Sequence, residues 1–193
     1  MERNDALIVV DVQNDFCPGG ALGVDGGDEV VPVLNRCIAK FADAGLPVIA
    51  TRDWHPEKTR HFKDGGGLWP RHCVQGSEGG KFHPDLAIDS RVTIMSKGQS
   101  ADSDSYSAFH GVTNEGVNLC DFLRSHGVER LFIGGLATDY CVKYTVFEGI
   151  KQGFKIVVLQ DAIRGVNLQP HDSEEAIDAM ARAGAEMMDS AIA

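Results

Sequence analysis

The chain has 193 residues, 43% of them hydrophobic and 24% charged, with a formal net charge of -10. These values fit a soluble globular domain with a sizeable core, and the negative charge argues against nucleic acid or an anionic membrane as partner. Apolar runs are short and the five cysteines are scattered without a CxxC pair, which excludes a signal peptide, a membrane span and a disulfide framework, and points to reduced thiols in a cytoplasmic protein.

In chain order, Ala6 to Val10 reads as a buried strand ending at Asp11. A glycine-rich loop with Phe16 and Cys17 follows. Val30, Val33, Leu34, Cys37, Ile38 and Phe41 then recur at helical spacing, with Gly45 as the stop. Pro47 to Ala50 is a second strand, ending near Asp53. From about 53 to 91 no long periodicity is present, yet both tryptophans and four of the seven histidines fall there. So long an irregular stretch in a compact domain points to function. Arg91 to Met95 is a third strand, ending at Lys97, and a helix is expected from Glu115 to His126. Arg130 to Ile133 is a fourth strand, closed by Gly134 and Gly135. Thr138 or Asp139 is placed to cap the next helix, with Cys141 in its first turn. Lys155 to Leu159 is strand five, ending at Asp161. Asp172 with Glu175 resembles a capping box, and Glu186 to Met188 is a short sixth strand.

Strands alternating with helices predict one α/β domain over residues 1–193, a doubly wound parallel sheet of about six strands with helices on both faces. Ligands of such sheets bind beyond the carboxyl ends of the strands. Those ends carry Asp11, Asp53, Lys97, Cys141 and Asp161, which are expected to meet at one edge. A thiol in the first turn of a helix is expected to have a lowered pKa and to face oxyanion donors at Ala137 and Cys141. Asp11 can take its proton and Lys97 can orient both. Asp53 and His55 can face one cation, with His61 and His72 completing a mixed N/O site for Zn, Fe or Mn. His83, His110, His126 and His171 read as surface or structural. Phe16, Trp69 and Tyr106 lie in loops, as core filling or as walls for a flat ring.

The pieces Ile8-Val9-Val10-Asp11-Val12-Gln13-Asn14-Asp15-Phe16, Arg52-Asp53-Trp54-His55-Pro56, Trp69-Pro70-Arg71-His72-Cys73, Ser96-Lys97-Gly98, Ser105-Tyr106-Ser107-Ala108-Phe109 and Gly134-Gly135-Leu136-Ala137-Thr138-Asp139-Tyr140-Cys141 span nearly the whole chain. In that order the sequence resembles the nicotinamidase/pyrazinamidase branch of the isochorismatase-like cysteine hydrolases. The resemblance implies hydrolysis of nicotinamide to nicotinate and ammonia through a thioester, in pyridine nucleotide salvage. It implies Cys141 as nucleophile, Asp11 as proton shuttle and Lys97 as third member. It also implies a divalent metal on Asp53, His55 and His72, with His61 a ligand in only some relatives. A cis peptide at Leu136-Ala137 is implied, and Phe16, Trp69, Tyr106, Leu136 and Ala137 around the substrate. A hydrolase of another small amide or an N-carbamoyl compound, and a metal- or thiol-sensing module, are the rival readings. Oligomeric state, including a homo-oligomer, is not read from the sequence.

Overall fold

The computed structural model describes residues 1–191. Six strands form one parallel sheet: β1 (Asp5–Val10), β2 (Val48–Asp53), β3 (Val92–Lys97), β4 (Arg130–Leu136), β5 (Lys155–Arg164) and β6 (Glu186–Met188), in the order β3-β2-β1-β4-β5-β6. The helices are α1 (Val30–Asp43), α2 (Leu119–Ser125), α3 (Lys143–Lys151) and α4 (Asp172–Arg182).

All six residues of β1 are buried, because the central strand is covered on both sides. Leu7 and Val9 pack with Leu34, Ile38 and Phe41 of α1. Ala6, Ile8 and Val10 point the other way and pack with Leu119 and Leu123 of α2, Val146 of α3 and Met180 of α4. The sheet is therefore doubly wound, as the alternation of strands and helices predicts. Its winding reverses between β1 and β4, and the crevice at such a reversal is where ligands bind. Asp11 leaves the sheet on one side of that crevice, and the turn carrying Cys141 leaves on the other.

Four expectations are corrected. The two glycines do not end β4; they lie inside it. A Cβ on Gly134 would come within 2.9 Å of Leu34, and one on Gly135 (φ 126°) within 2.1 Å of the Val10 carbonyl oxygen, so only glycine allows this close approach. β5 does not stop at Asp161. Ile133 pairs with Val158 and Gly135 with Ile163, so the strand bulges between them and runs on to Arg164. α2 begins at Leu119 rather than Glu115, because Gly116 (φ 82°) turns the chain and Asn118 accepts from the Asp121 N–H at 2.9 Å as the cap. The proposed capping box at Asp172 is not formed. His171 precedes the helix in the left-handed region, and the Asp172 carboxylate accepts instead from the Gln169 N–H.

The irregular segment is ordered by side chains reaching across it. Gln13 donates to the Asp53 and Gly80 carbonyls at 2.8 and 2.9 Å and accepts from the Asp53 N–H, while Asp15 accepts from the Cys73 N–H at 2.7 Å. All five cysteines are free. Among the described residues no helix is long and apolar enough to cross a membrane.

Candidate active site

Asp11 directly follows β1 at φ 48°, in the left-handed region that costs a non-glycine residue energy. Thr51 of β2 donates its hydroxyl to Asp11 Oδ1 at 2.7 Å. Asp53 and Lys97 are register partners at the ends of β2 and β3, which brings their side chains together. The Lys97 ammonium is completely buried. It contacts Asp53 Oδ1, lies 2.9 Å from Asp11 Oδ2, donates to the Ser105 carbonyl at 3.1 Å and reaches Cys141 Sγ at 3.5 Å. Three charged groups and one sulfur, distant in sequence, thus share one buried spot.

Their electrostatics differ from the sequence expectation. Cys141 does not occupy the first turn of an α-helix. It lies in a π-helical turn, Thr138–Val142, whose entry residue is Ala137, and neither Thr138 nor Asp139 caps it. Burial holds the Cys141 thiol well above its usual pKa; Asp11 and Asp53 add to this, and Lys97 opposes it. The expectation of a lowered thiol pKa is therefore overturned, since desolvation outweighs the turn and the ammonium. Burial and the Asp53 charge also raise Asp11, with Lys97 opposing. Burial works against Lys97 too, yet the charges of Asp11 and Asp53 hold it firmly protonated. Asp53 is the exception among the acids: burial would raise it, but Lys97 and the neighbouring histidines hold it below the carboxylate range.

On the far side of Asp53 lie His55, His61 and His72, all buried, each offering a ring nitrogen within 4.8 Å of the others. Each Nδ1 is already engaged. His55 faces the Gly98 carbonyl at 3.0 Å, His72 the Pro70 carbonyl at 2.8 Å, and His61 the Asp104 carboxylate at 2.5 Å. A carbonyl or carboxylate only accepts, so Nδ1 must carry the proton and Nε2 is left with a lone pair. Gly98 (φ 70°) permits this, since a Cβ there would fall 2.6 Å from the His55 ring. Burial lowers His61 and pushes His72 down to about 4, which keeps those imidazoles neutral. Asp53 Oδ2 lies 3.6 Å from His55 Nε2 and 3.9 Å from His72 Nε2. His55 Nε2 is buried with no hydrogen-bond partner among the described residues. Three lone pairs, one of them on an orphaned acceptor, and one carboxylate oxygen fit a divalent metal ion. Asp11, Asp53 and Cys141 also converge, but the Lys97 ammonium already supplies the positive charge among them.

A cleft opens over both clusters. Cys141, Asp53, His61 and His72 line it, with Phe16, Trp69, Tyr106 and Ala137 as further walls. Trp69 Nε1 donates to the Tyr106 hydroxyl at 2.9 Å, fixing two of those walls. Leu136 is corrected: its side chain is fully buried in the core, and its cis-bonded neighbour Ala137 lines the cleft in its place. Asp161 is also corrected. The bulge in β5 turns it away, and it accepts from the Ser190 N–H and hydroxyl. His83 is half-buried and His110, His126 and His171 are exposed, as expected of residues outside the site. Sequence reasoning missed Leu22, Tyr140 and Val166 as lining residues. Adjacency to Cys141 was the available signal for Tyr140; Leu22 and Val166 come from loops with no periodic pattern.

Comparison with known proteins agrees with this architecture. Residues 5–192 match the isochorismatase domain model. The chain is 43% identical to the nicotinamidase of Escherichia coli, over 93% of this chain and 92% of that one. It is 40% identical to the nicotinamidase/pyrazinamidase of Mycobacterium tuberculosis, over 84% and 87%. The crystal structure of the Pyrococcus horikoshii pyrazinamidase in complex with zinc superimposes with a TM-score of 0.88 at 42% identity, covering 96% of this chain and 99% of that one. With its sheet, its switch-point crevice and a family match running through all six strands, the chain belongs to the isochorismatase family.

Proposed function

We propose that this protein is a nicotinamidase, hydrolysing nicotinamide to nicotinate and ammonia, with Cys141 as nucleophile, Asp11 as proton carrier and Lys97 as the charge that binds them together. One observation carries the reading: the Cys141 sulfur lies 3.5 Å from an ammonium that also pairs with Asp11 at 2.9 Å, and it lines an aromatic-walled cleft. The 43% and 40% identities to a nicotinamidase and a nicotinamidase/pyrazinamidase support the choice of substrate.

The protein's own groups account for the chemistry. The Cys141 thiol is protonated at rest, so its proton must move as the sulfur attacks. Burial raises Asp11 while its Lys97 partner favours the carboxylate, and opposing pulls of this kind suit a base that must soon act as an acid. The sulfur bonds to the carboxamide carbon while Asp11 takes the S–H proton. The carbonyl oxygen becomes anionic and is assigned to the N–H groups of Ala137 and Cys141. Asp11 returns its proton to the nitrogen, the C–N bond breaks, ammonia leaves and a thioester remains. Water then adds to the thioester, with Asp11 accepting its proton; the C–S bond breaks, the proton passes to the sulfur, and nicotinate is released. Thr51 and Lys97 hold one carboxylate oxygen each, so Asp11 keeps one orientation through both halves. Phe16, Trp69 and Tyr106 are the ring walls. His55, His61 and His72, with Asp53 Oδ2 beside His55 and His72, would hold a divalent transition metal. When bound, such an ion supplies a Lewis-acid contact for a ring nitrogen and so orients the substrate.

The test is ammonia release from nicotinamide and from an N-carbamoyl amide, each before and after chelation. Turnover of nicotinamide that falls on chelation and recovers with added metal is the expected result. Preferential turnover of the N-carbamoyl compound would overturn the assignment.

A further inference from the structure

Asp139 lies two residues before Cys141 and is almost fully buried, yet it caps no helix. Its two carboxylate oxygens accept from two successive backbone N–H groups of a different loop, Val166 at 2.9 Å and Asn167 at 2.8 Å. That loop joins β5 to α4. Gly165 allows it to approach: a Cβ there would lie 3.1 Å from Asp139 Oδ1 and 1.8 Å from the Ser173 hydroxyl. Asn167 stands at φ 52°, the left-handed conformation that aims consecutive N–H groups at one anion. Farther along, Asn167 Oδ1 accepts from the Ser173 N–H, and Leu168 and the next three residues are exposed. Asp139 is thus the buried tether of the loop's inner end.

The tether matters because of what it joins. Val166 lines the cleft, and the turn that carries Asp139 supplies Ala137, Tyr140 and Cys141 to the same cleft. One short side chain therefore fixes the distance between a pocket wall and the nucleophile. We infer that Asp139 is a positioning residue for ring recognition: through its grip on the Val166 and Asn167 amides it holds the Val166 wall at a fixed reach from Cys141 and so restricts the cleft to a single six-membered ring. This deepens the nicotinamidase reading and rests on it. A role in stability alone would lower the melting temperature without altering which rings are accepted.

The experiment compares the wild type with Asp139→Ala, Asp139→Asn and Val166→Ala, using nicotinamide and its benzo-fused analogue quinoline-3-carboxamide. For Asp139→Ala the expected result is a KM for nicotinamide raised about tenfold, kcat changed by less than about threefold, and discrimination against the bicyclic amide reduced at least about fivefold. Asp139→Asn keeps one acceptor and should fall between the two, which serves if the alanine variant does not fold. Val166→Ala should shift the same ratio, and combining it with Asp139→Ala should add little. Amide hydrogen exchange at Val166 and Asn167 should quicken by about tenfold or more in both Asp139 variants, whatever the activity. Unchanged ring discrimination, or unchanged exchange at these two amides, in a folded Asp139 variant overturns the inference. A wild type that releases no ammonia from nicotinamide overturns the nicotinamidase reading instead, and exchange with nicotinate binding then decides the role of Asp139.

Discussion

Two clusters share the mouth of this sheet, and they differ in whether the chain can complete them. Around Lys97, one buried ammonium meets two carboxylates and a thiol, and every charge has an opposite within contact distance. Around His55, His61 and His72, three imidazoles with engaged Nδ1 atoms present lone pairs to each other, and His55 Nε2 has no hydrogen-bond partner among the described residues. In the first, the charges are paired by protein groups; the second calls for a cation from outside. Asp53 belongs to both, giving Oδ1 to Lys97 and facing the histidines with Oδ2. The lesson is that reactivity and cation binding are separable at every residue except Asp53.

The largest effect should come from breaking the first cluster alone. Cys141→Ala is expected to reduce nicotinamide turnover by at least about 10³-fold while metal content, measured on the purified protein, stays at the wild-type level. Wild-type rates in that variant would falsify the nucleophile assignment. Asp53→Ala should break both clusters together. Metal content should collapse, and turnover should remain depressed even when metal is supplied in excess, because Lys97 has also lost a buried counter-charge. A variant restored fully by added metal would show that Oδ1 contributes nothing to the first cluster.

That separation explains what was legible in the sequence. Strand ends can be read from apolar runs, so Asp11, Asp53, Lys97 and Cys141 could be placed on one edge before any coordinates. Asp161 met the same criterion and failed, because a bulge in β5 carries the strand past it, and no pattern announces a bulge. Local signals also misled at Asp139 and Asp172, where short acidic residues at helix starts look like caps but their oxygens accept from loop amides instead. The same holds for the sulfur: position near a helix start argues for a low pKa, but burial beside two carboxylates is a long-range property and dominates. Leu22 and Val166 stayed hidden because side chains from separate loops meet only in the folded chain.

The pH profile sharpens the comparison at an intermediate scale. Asp11 must be ionised to accept the thiol proton, and burial has raised its pKa. A raised acid loses its charge at a higher pH than usual, so kcat/KM should fall as pH drops through a midpoint above the ordinary carboxylate range. Because the metal cluster has its own acid sensitivity through imidazole protonation, the profile should be recorded at saturating metal. An acid limb that moves with metal concentration would belong to the histidines; one that stays fixed belongs to Asp11.

The smallest expected effect concerns His61, the member of the second cluster whose Nδ1 partner is a carboxylate rather than a carbonyl. Asp104 holds that nitrogen at 2.5 Å, but its side chain is 59% exposed. Solvent screens its charge, so the carboxylate acts mainly by fixing which nitrogen carries the proton. Asparagine in its place can still accept that proton through its amide oxygen, whereas alanine cannot. Asp104→Asn should therefore weaken metal retention by less than about tenfold, and Asp104→Ala by about 10- to 100-fold, in a competition with a chelator of known affinity. Both changes act on the metal through His61 alone, leaving the Nδ1 partners of His55 and His72 in place. Equal retention in wild type and both variants would remove His61 from the ligand set and leave the cation to Asp53, His55 and His72.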